Sequence, residues 1–107
     1  MKRFTVPMFT LLAAFSVVMV VPSSMRAQDA ASLYKSKCAG CHGADGTGAR
    51  MGKMLGAQDF TSADVQKKSD SELADIITNG KRSMPAYKSL TPDQVKGLVA
   101  YIRTMKK

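Results

Sequence analysis

Tryptophan is absent from the 107 residues, histidine occurs once and cysteine twice. With so few soft ligands, a closed four-ligand zinc site cannot form unless carboxylates join it. Acidic residues are scarce as well: 8 Asp+Glu stand against 16 Lys+Arg, a net charge of +8. No alternating apolar–polar stretch marks a β-strand, and no internal repeat occurs. The length excludes a two-domain enzyme or a barrel of eight β/α units. At 45% hydrophobic and 22% charged, the composition is not that of a disordered tail.

The N-terminal stretch reads as a leader. Lys2 and Arg3 precede an uncharged run from Phe4 to Met25, densest in apolar residues from Leu11 to Val21 and broken by Pro22-Ser23-Ser24. A basic start, an apolar centre and a polar end make a secretory signal peptide. The expected domains are therefore 1–27 as signal peptide, cut after Ala27, and 28–107 as the folded domain. The alternative is an uncleaved anchor, since a bilayer span needs roughly 20 apolar residues. Either way Lys2 and Arg3 hold the N-terminus inside and the rest of the chain lies outside the cytoplasm.

Beyond the leader only Tyr34, Phe60, Tyr87 and Tyr101 supply aromatic bulk. A domain this small has a thin core, so something else has to fill or staple it. The strongest chemical motif is Cys38-Ala39-Gly40-Cys41-His42. A Cys-x-x-Cys pair alone also fits a disulfide, a redox switch or half a zinc site. A thioredoxin-like centre, though, would want a βαβ setting that is not visible. Histidine directly after the second cysteine selects haem attachment. Two thiols at this spacing can each add to one vinyl group on one edge of a porphyrin, and the next residue then reaches the iron beneath it.

The pattern predicts short helices. One runs over Asp29–Lys37, with Asp29 at the positive end of the helix dipole. A glycine loop follows at 42–48. No strand–loop–helix frame supports reading that loop as a phosphate cradle. A brief turn is expected at 64–68. Ser69-Asp70-Ser71-Glu72 is a capping box opening a helix that Asn79-Gly80 stops. Thr91-Pro92-Asp93-Gln94 opens a last helix running to about Met105, with Val95, Leu98, Val99, Ile102 and Met105 as its apolar stripe.

A second iron ligand would come from methionine. Met105 sits on an apolar stripe and reads as core. Met51 and Met54 read as packing on the ring edge. Met84 leads and Met54 is next: Pro85 holds Met84 out of the α region, on a stiff loop between two capped helices. Met/His pairs are a known haem arrangement.

These features resemble class I c-type cytochromes: the Cys38–His42 motif, the Met84-Pro85-Ala86-Tyr87 loop and the Leu98-Val99-Ala100-Tyr101-Ile102-Arg103 helix. Small soluble monohaem carriers and the haem-c domains of respiratory oxidase subunits are the most similar branches. The likeness covers Asp29 to Met105. It implies an all-α cytochrome c fold of three to five short helices around one covalently bound haem c, with first and last helices crossing. Tyr34 and Tyr101 match the aromatic pair at that crossing. Ala30 stands where the family often has glycine, which implies a slightly wider crossing.

The implied function is outer-sphere one-electron transfer without enzymatic chemistry. Cys38 and Cys41 would carry the haem, and His42 and Met84 would ligate the iron. Lys81, Arg82, Lys88, Arg50 and Lys53 would form a basic rim that steers redox proteins with acidic docking surfaces. The chain is expected to be a periplasmic monomer, in contact with a membrane only if the leader stays uncleaved, and without nucleic-acid binding. Two alternatives remain open: a haem-c subunit or tethered module of a dehydrogenase or oxidase complex, and an open-site haem enzyme or gas sensor.

Overall fold

The leader expected at 1–27 lies mostly outside the residues described by the computed structural model, which are 2–3, 13–18 and 25–107. The first helix, α1, spans Ala27–Lys37, two residues longer at its start than the sequence pattern indicates. Asp29 lies in its first turn and Lys35 and Lys37 in its last, both favourable to the helix dipole. Two one-turn helices follow, α2 at Ala39–His42 and α3 at Arg50–Met54. Neither shows in the apolar periodicity, because a single turn is too short to build an apolar stripe.

The short turn expected near 64–68 is α4, Ala63–Gln66, capped by Ser62, whose hydroxyl accepts the Val65 N–H at 3.4 Å. In α5, Asp70–Asn79, the Ser69 hydroxyl accepts the Glu72 N–H at 3.1 Å. Glu72 does not complete the box; its carboxylate lies 3.7 Å from Lys68 Nζ. Gly80 ends the helix at φ +78°, a conformation glycine adopts at no steric cost. The last helix, α6, is Pro92–Arg103 and has a complete capping box: Gln94 N–H donates to the Thr91 hydroxyl at 3.2 Å, and Thr91 N–H donates to Gln94 Oε1 at 2.9 Å. It stops two residues before Met105, where the Thr104 hydroxyl donates back to the Tyr101 carbonyl at 2.6 Å.

The described residues therefore hold six helices, against three to five expected; the one-turn segments make the difference. Their only β feature is an isolated bridge between Lys81 and Met84. The fold is all-α.

α1 and α6 pack against each other, with the Tyr34 and Tyr101 rings 4.9 Å apart. Ala30 is fully buried, so its methyl is accommodated where a glycine was the family expectation. Tyr34 and Leu98 are the most enclosed side chains, and Leu73 and Ile77 of α5 complete the cluster against Val95, Val99 and Ile102 of α6. Met105, expected as core, packs against this cluster while half-buried.

One polar clamp ties the end of α6 to the α4–α5 junction. Arg103 donates to the Gln66 carbonyl at 3.0 Å, to the Lys68 carbonyl, and to Asp70 Oδ1 at 2.9 Å. Gln66 Nε2 in turn donates to the Ile102 carbonyl at 3.0 Å.

Candidate haem-binding cleft

A cleft opens between α2, the 55–60 segment, α5 and the loop after it. Cys38, Cys41, His42 and Met84 all line it. Its apolar walls come from Leu55, Phe60, Val65, Leu73, Ile77 and Ile102.

The motif segment is held by its neighbours on both sides. Tyr34 of α1 donates its hydroxyl to the Gly43 carbonyl at 2.6 Å, and burial pushes that phenol well above its ordinary value, so it remains a donor. On the other side, α3 approaches so closely that a Cβ on Gly52 would lie within bonding distance of the Cys41 carbonyl oxygen. Only glycine permits that contact.

Cys38 and Cys41 are not joined in a disulfide; Cys38 is half-buried and Cys41 exposed. Burial raises the Cys38 thiol, with Lys37 pulling the other way. The His42 imidazole stacks on Phe60, centroids 4.3 Å apart and planes within 25°. Its Nδ1 is buried and has no hydrogen-bond partner among the described residues, and burial holds its pKa below the ordinary value, so the ring is neutral near pH 7.

Met84 sits on a tight turn. Met84 N–H donates to the Lys81 carbonyl at 3.0 Å, and Lys81 N–H donates back to Met84 at 3.2 Å. Arg82 turns the corner at φ +54°, in the left-handed region. Past Pro85, Tyr87 fastens the loop twice: its N–H donates to the Ile77 carbonyl at 3.1 Å and its hydroxyl to the Lys37 carbonyl at 3.0 Å.

The other methionines separate clearly. Met51 and Met54 are 59% and 76% exposed and do not line the cleft, and Met105 packs against the core cluster. Of the expected basic rim, Lys81 and Arg82 lie at the cleft, whereas Arg50, Lys53 and Lys88 do not. Lys53 lies along Gly48, and Lys88 donates to Asn79 Oδ1 at 3.3 Å. Lys37 and Lys68 border the cleft instead, and sequence reasoning missed both. It also missed the Phe60–His42 stack, which no local pattern signals. A Cys-x-x-Cys-His segment and a loop methionine on one apolar cleft of an all-α fold define a c-type cytochrome.

Comparison with known proteins agrees. The family profile described as cytochrome c oxidase, cbb3-type, subunit III, matches residues 25–102. Cytochrome c6 of Rippkaea orientalis (strain PCC 8801 / RF-1) is 34% identical over 110 residues, covering 95% of this chain and 92% of its own. Cytochrome c6 of Anabaena variabilis is 33% identical over 78 residues, covering 67% and 83%. The solved structure of the KustC0563 c-type cytochrome superposes with a TM-score of 0.68 at 40% identity, over 73% of this chain and 98% of that one. The chain belongs to the class I c-type cytochromes. It is a monohaem electron carrier and not an enzyme, and its cofactor is covalently bound haem c with its iron. Among the described residues, no helix is long and apolar enough to cross a membrane.

Proposed function

We propose that Cys38 and Cys41 carry the haem through thioether bonds, that His42 and Met84 ligate its iron, and that the protein shuttles single electrons between extracytoplasmic redox proteins. The observation that carries this reading is the meeting of these four side chains, from two distant parts of the chain, at one apolar cleft.

The donor set fits the group. No disulfide joins the two cysteines, so each sulfur is available to add across one vinyl group. His42 is a neutral imidazole, the form that ligates a metal, and its enclosed Nδ1 leaves Nε2 for the iron. Met84 is presented by a turn closed by two hydrogen bonds, so its thioether is held in position in both oxidation states. When bound, the haem iron supplies the one-electron couple. A methionine thioether and an apolar pocket both favour the ferrous state and raise the potential. Lys37, Lys68, Lys81 and Arg82 at the cleft attract partners with acidic docking surfaces.

The leader at 1–27 delivers residues 28–107 to the periplasm. Cutting after Ala27 removes Arg26, whose carbonyl accepts from Asp29 and Ala30 at 3.0 Å, so the first turn of α1 loosens in the mature chain. N-terminal sequencing of the purified protein locates the cut; a retained leader would give the anchored form instead.

Met84→Ala tests the ligand set. The variant is expected to keep its haem, lose the red absorption band of a methionine–iron bond, bind carbon monoxide when ferrous and fall in potential. Met54→Ala is expected to leave the band intact. The opposite pattern would move the ligand to Met54.

A further inference from the structure

We infer that Phe60 is a positioning residue that sets the orientation of the His42 imidazole on the iron, a role that rests on the ligation proposed above. A histidine that binds a metal ordinarily donates its other ring N–H to a carbonyl, a carboxylate or water, and that hydrogen bond fixes the ring plane. Among the described residues His42 has no such partner: its Nδ1 is enclosed and accepts or donates no hydrogen bond there. The contact that takes over is aromatic. Phe60 lies face to face with the imidazole at 4.3 Å, tilted by only 25°, so the ring cannot swing about its Cβ–Cγ bond without striking it.

Phe60 can serve as a stop because it is itself anchored on several sides. Its N–H donates to the Gly46 carbonyl at 2.9 Å. Its carbonyl accepts from Gln66 Nε2 at 2.7 Å. Gln66 is gripped in turn by Ile102 and Arg103, so the end of α6 holds Phe60 through one side chain. Tyr34 packs edge-on against the phenyl ring at 6.5 Å, and Gly46 lies so close that a Cβ there would come within 3.0 Å of the Phe60 Cβ. All of these anchors are protein groups, so the stop does not depend on the haem.

The imidazole plane determines how the ligand overlaps the iron d orbitals, and ferric paramagnetic spectra read that overlap directly. The test uses the holoprotein with Phe60→Leu, Phe60→Tyr and His42→Ala. Phe60→Leu, which keeps apolar volume but loses the flat face, is expected to shift the ferric electron-paramagnetic g values and reorder the haem methyl proton resonances. Its methionine–iron absorption band should stay. Phe60→Tyr is expected to restore the parent spectra. A merely structural Phe60 would lower the melting temperature and leave both spectra unchanged, and that result overturns the inference while sparing the ligation. A six-coordinate parent-like spectrum in His42→Ala would overturn the ligation and the inference together. Where Phe60→Leu yields no folded protein, Gln66→Leu loosens the anchor without touching the cleft. It is expected to shift the g values in part, and unchanged values there overturn the inference equally.

Discussion

Two glycines near the cysteine motif play opposite parts. Gly52 sits where a methyl would collide with the Cys41 backbone, and backbone cannot yield as a flexible side-chain end does. Gly52→Ala is expected to destabilise the holoprotein by about 1–3 kcal/mol, the range for overpacking, and to reduce haem incorporation. Gly40 has nothing within 4 Å of its would-be Cβ and lies inside α2. Gly40→Ala is therefore expected to stabilise by about 0.4–1 kcal/mol, chiefly by restricting the unfolded chain. Thermal unfolding of the pair checks both signs.

Asp45 and Asp59 make twin turns. Each accepts the N–H and hydroxyl of the threonine two residues on, the hydroxyls at 2.7 and 2.6 Å, and these bonds hold both carboxyls below their ordinary pKa. A depressed folded pKa gives stability that is present above the ordinary carboxylate value and lost as pH falls through the folded one. NMR titration is expected to find both carboxyls titrating below their unfolded values, and Thr47→Val is expected to raise Asp45 alone.

Among the elements, α5 and α6 show how much a cap contributes. Both begin with a hydroxyl that accepts from the third residue on, but only α6 closes the reciprocal bond, through Gln94. Thr91→Ala is expected to cost about 1 kcal/mol, seen as a lower denaturant midpoint with an unchanged slope. The methionine–iron band should persist, because Thr91 is remote from the cleft lining. The caps of α5 and α6 are legible in the sequence because a cap acts within one turn. The short α3 is not. Gly52, a poor helix former, masks it in the sequence, and the spacing of Met51 and Met54 resembles ring packing, whereas both side chains face outward.

For the molecule as a whole, the docking proposed above makes charge at the cleft, rather than net charge, the quantity to test. Lys37, Lys68, Lys81 and Arg82 come from three separate stretches of chain and meet at one opening. Reversing Lys81 and Arg82 to Glu is expected to slow electron transfer to an acidic partner several-fold at low salt and to flatten its ionic-strength dependence. Reversing Arg50 and Lys53, which do not line the cleft, is expected to change the rate less. Stopped-flow measurements over a salt series separate the two.

The Cys38-Ala39-Gly40-Cys41-His42 segment, the capped ends of α5 and α6, and Met84 before Pro85 are readable without coordinates, because spacing, caps and proline act over a few residues. Tyr34 meeting Tyr101 was reachable by resemblance alone, since their contact spans most of the domain. Other features have no local signature. Phe60 lies against His42, Lys37 and Lys68 stand at the cleft while Lys53 turns away, and Met54 faces outward while Met84 faces the cleft. Only tertiary structure decided these, because each depends on which distant side chains share a buried surface once α1, α5 and α6 have packed.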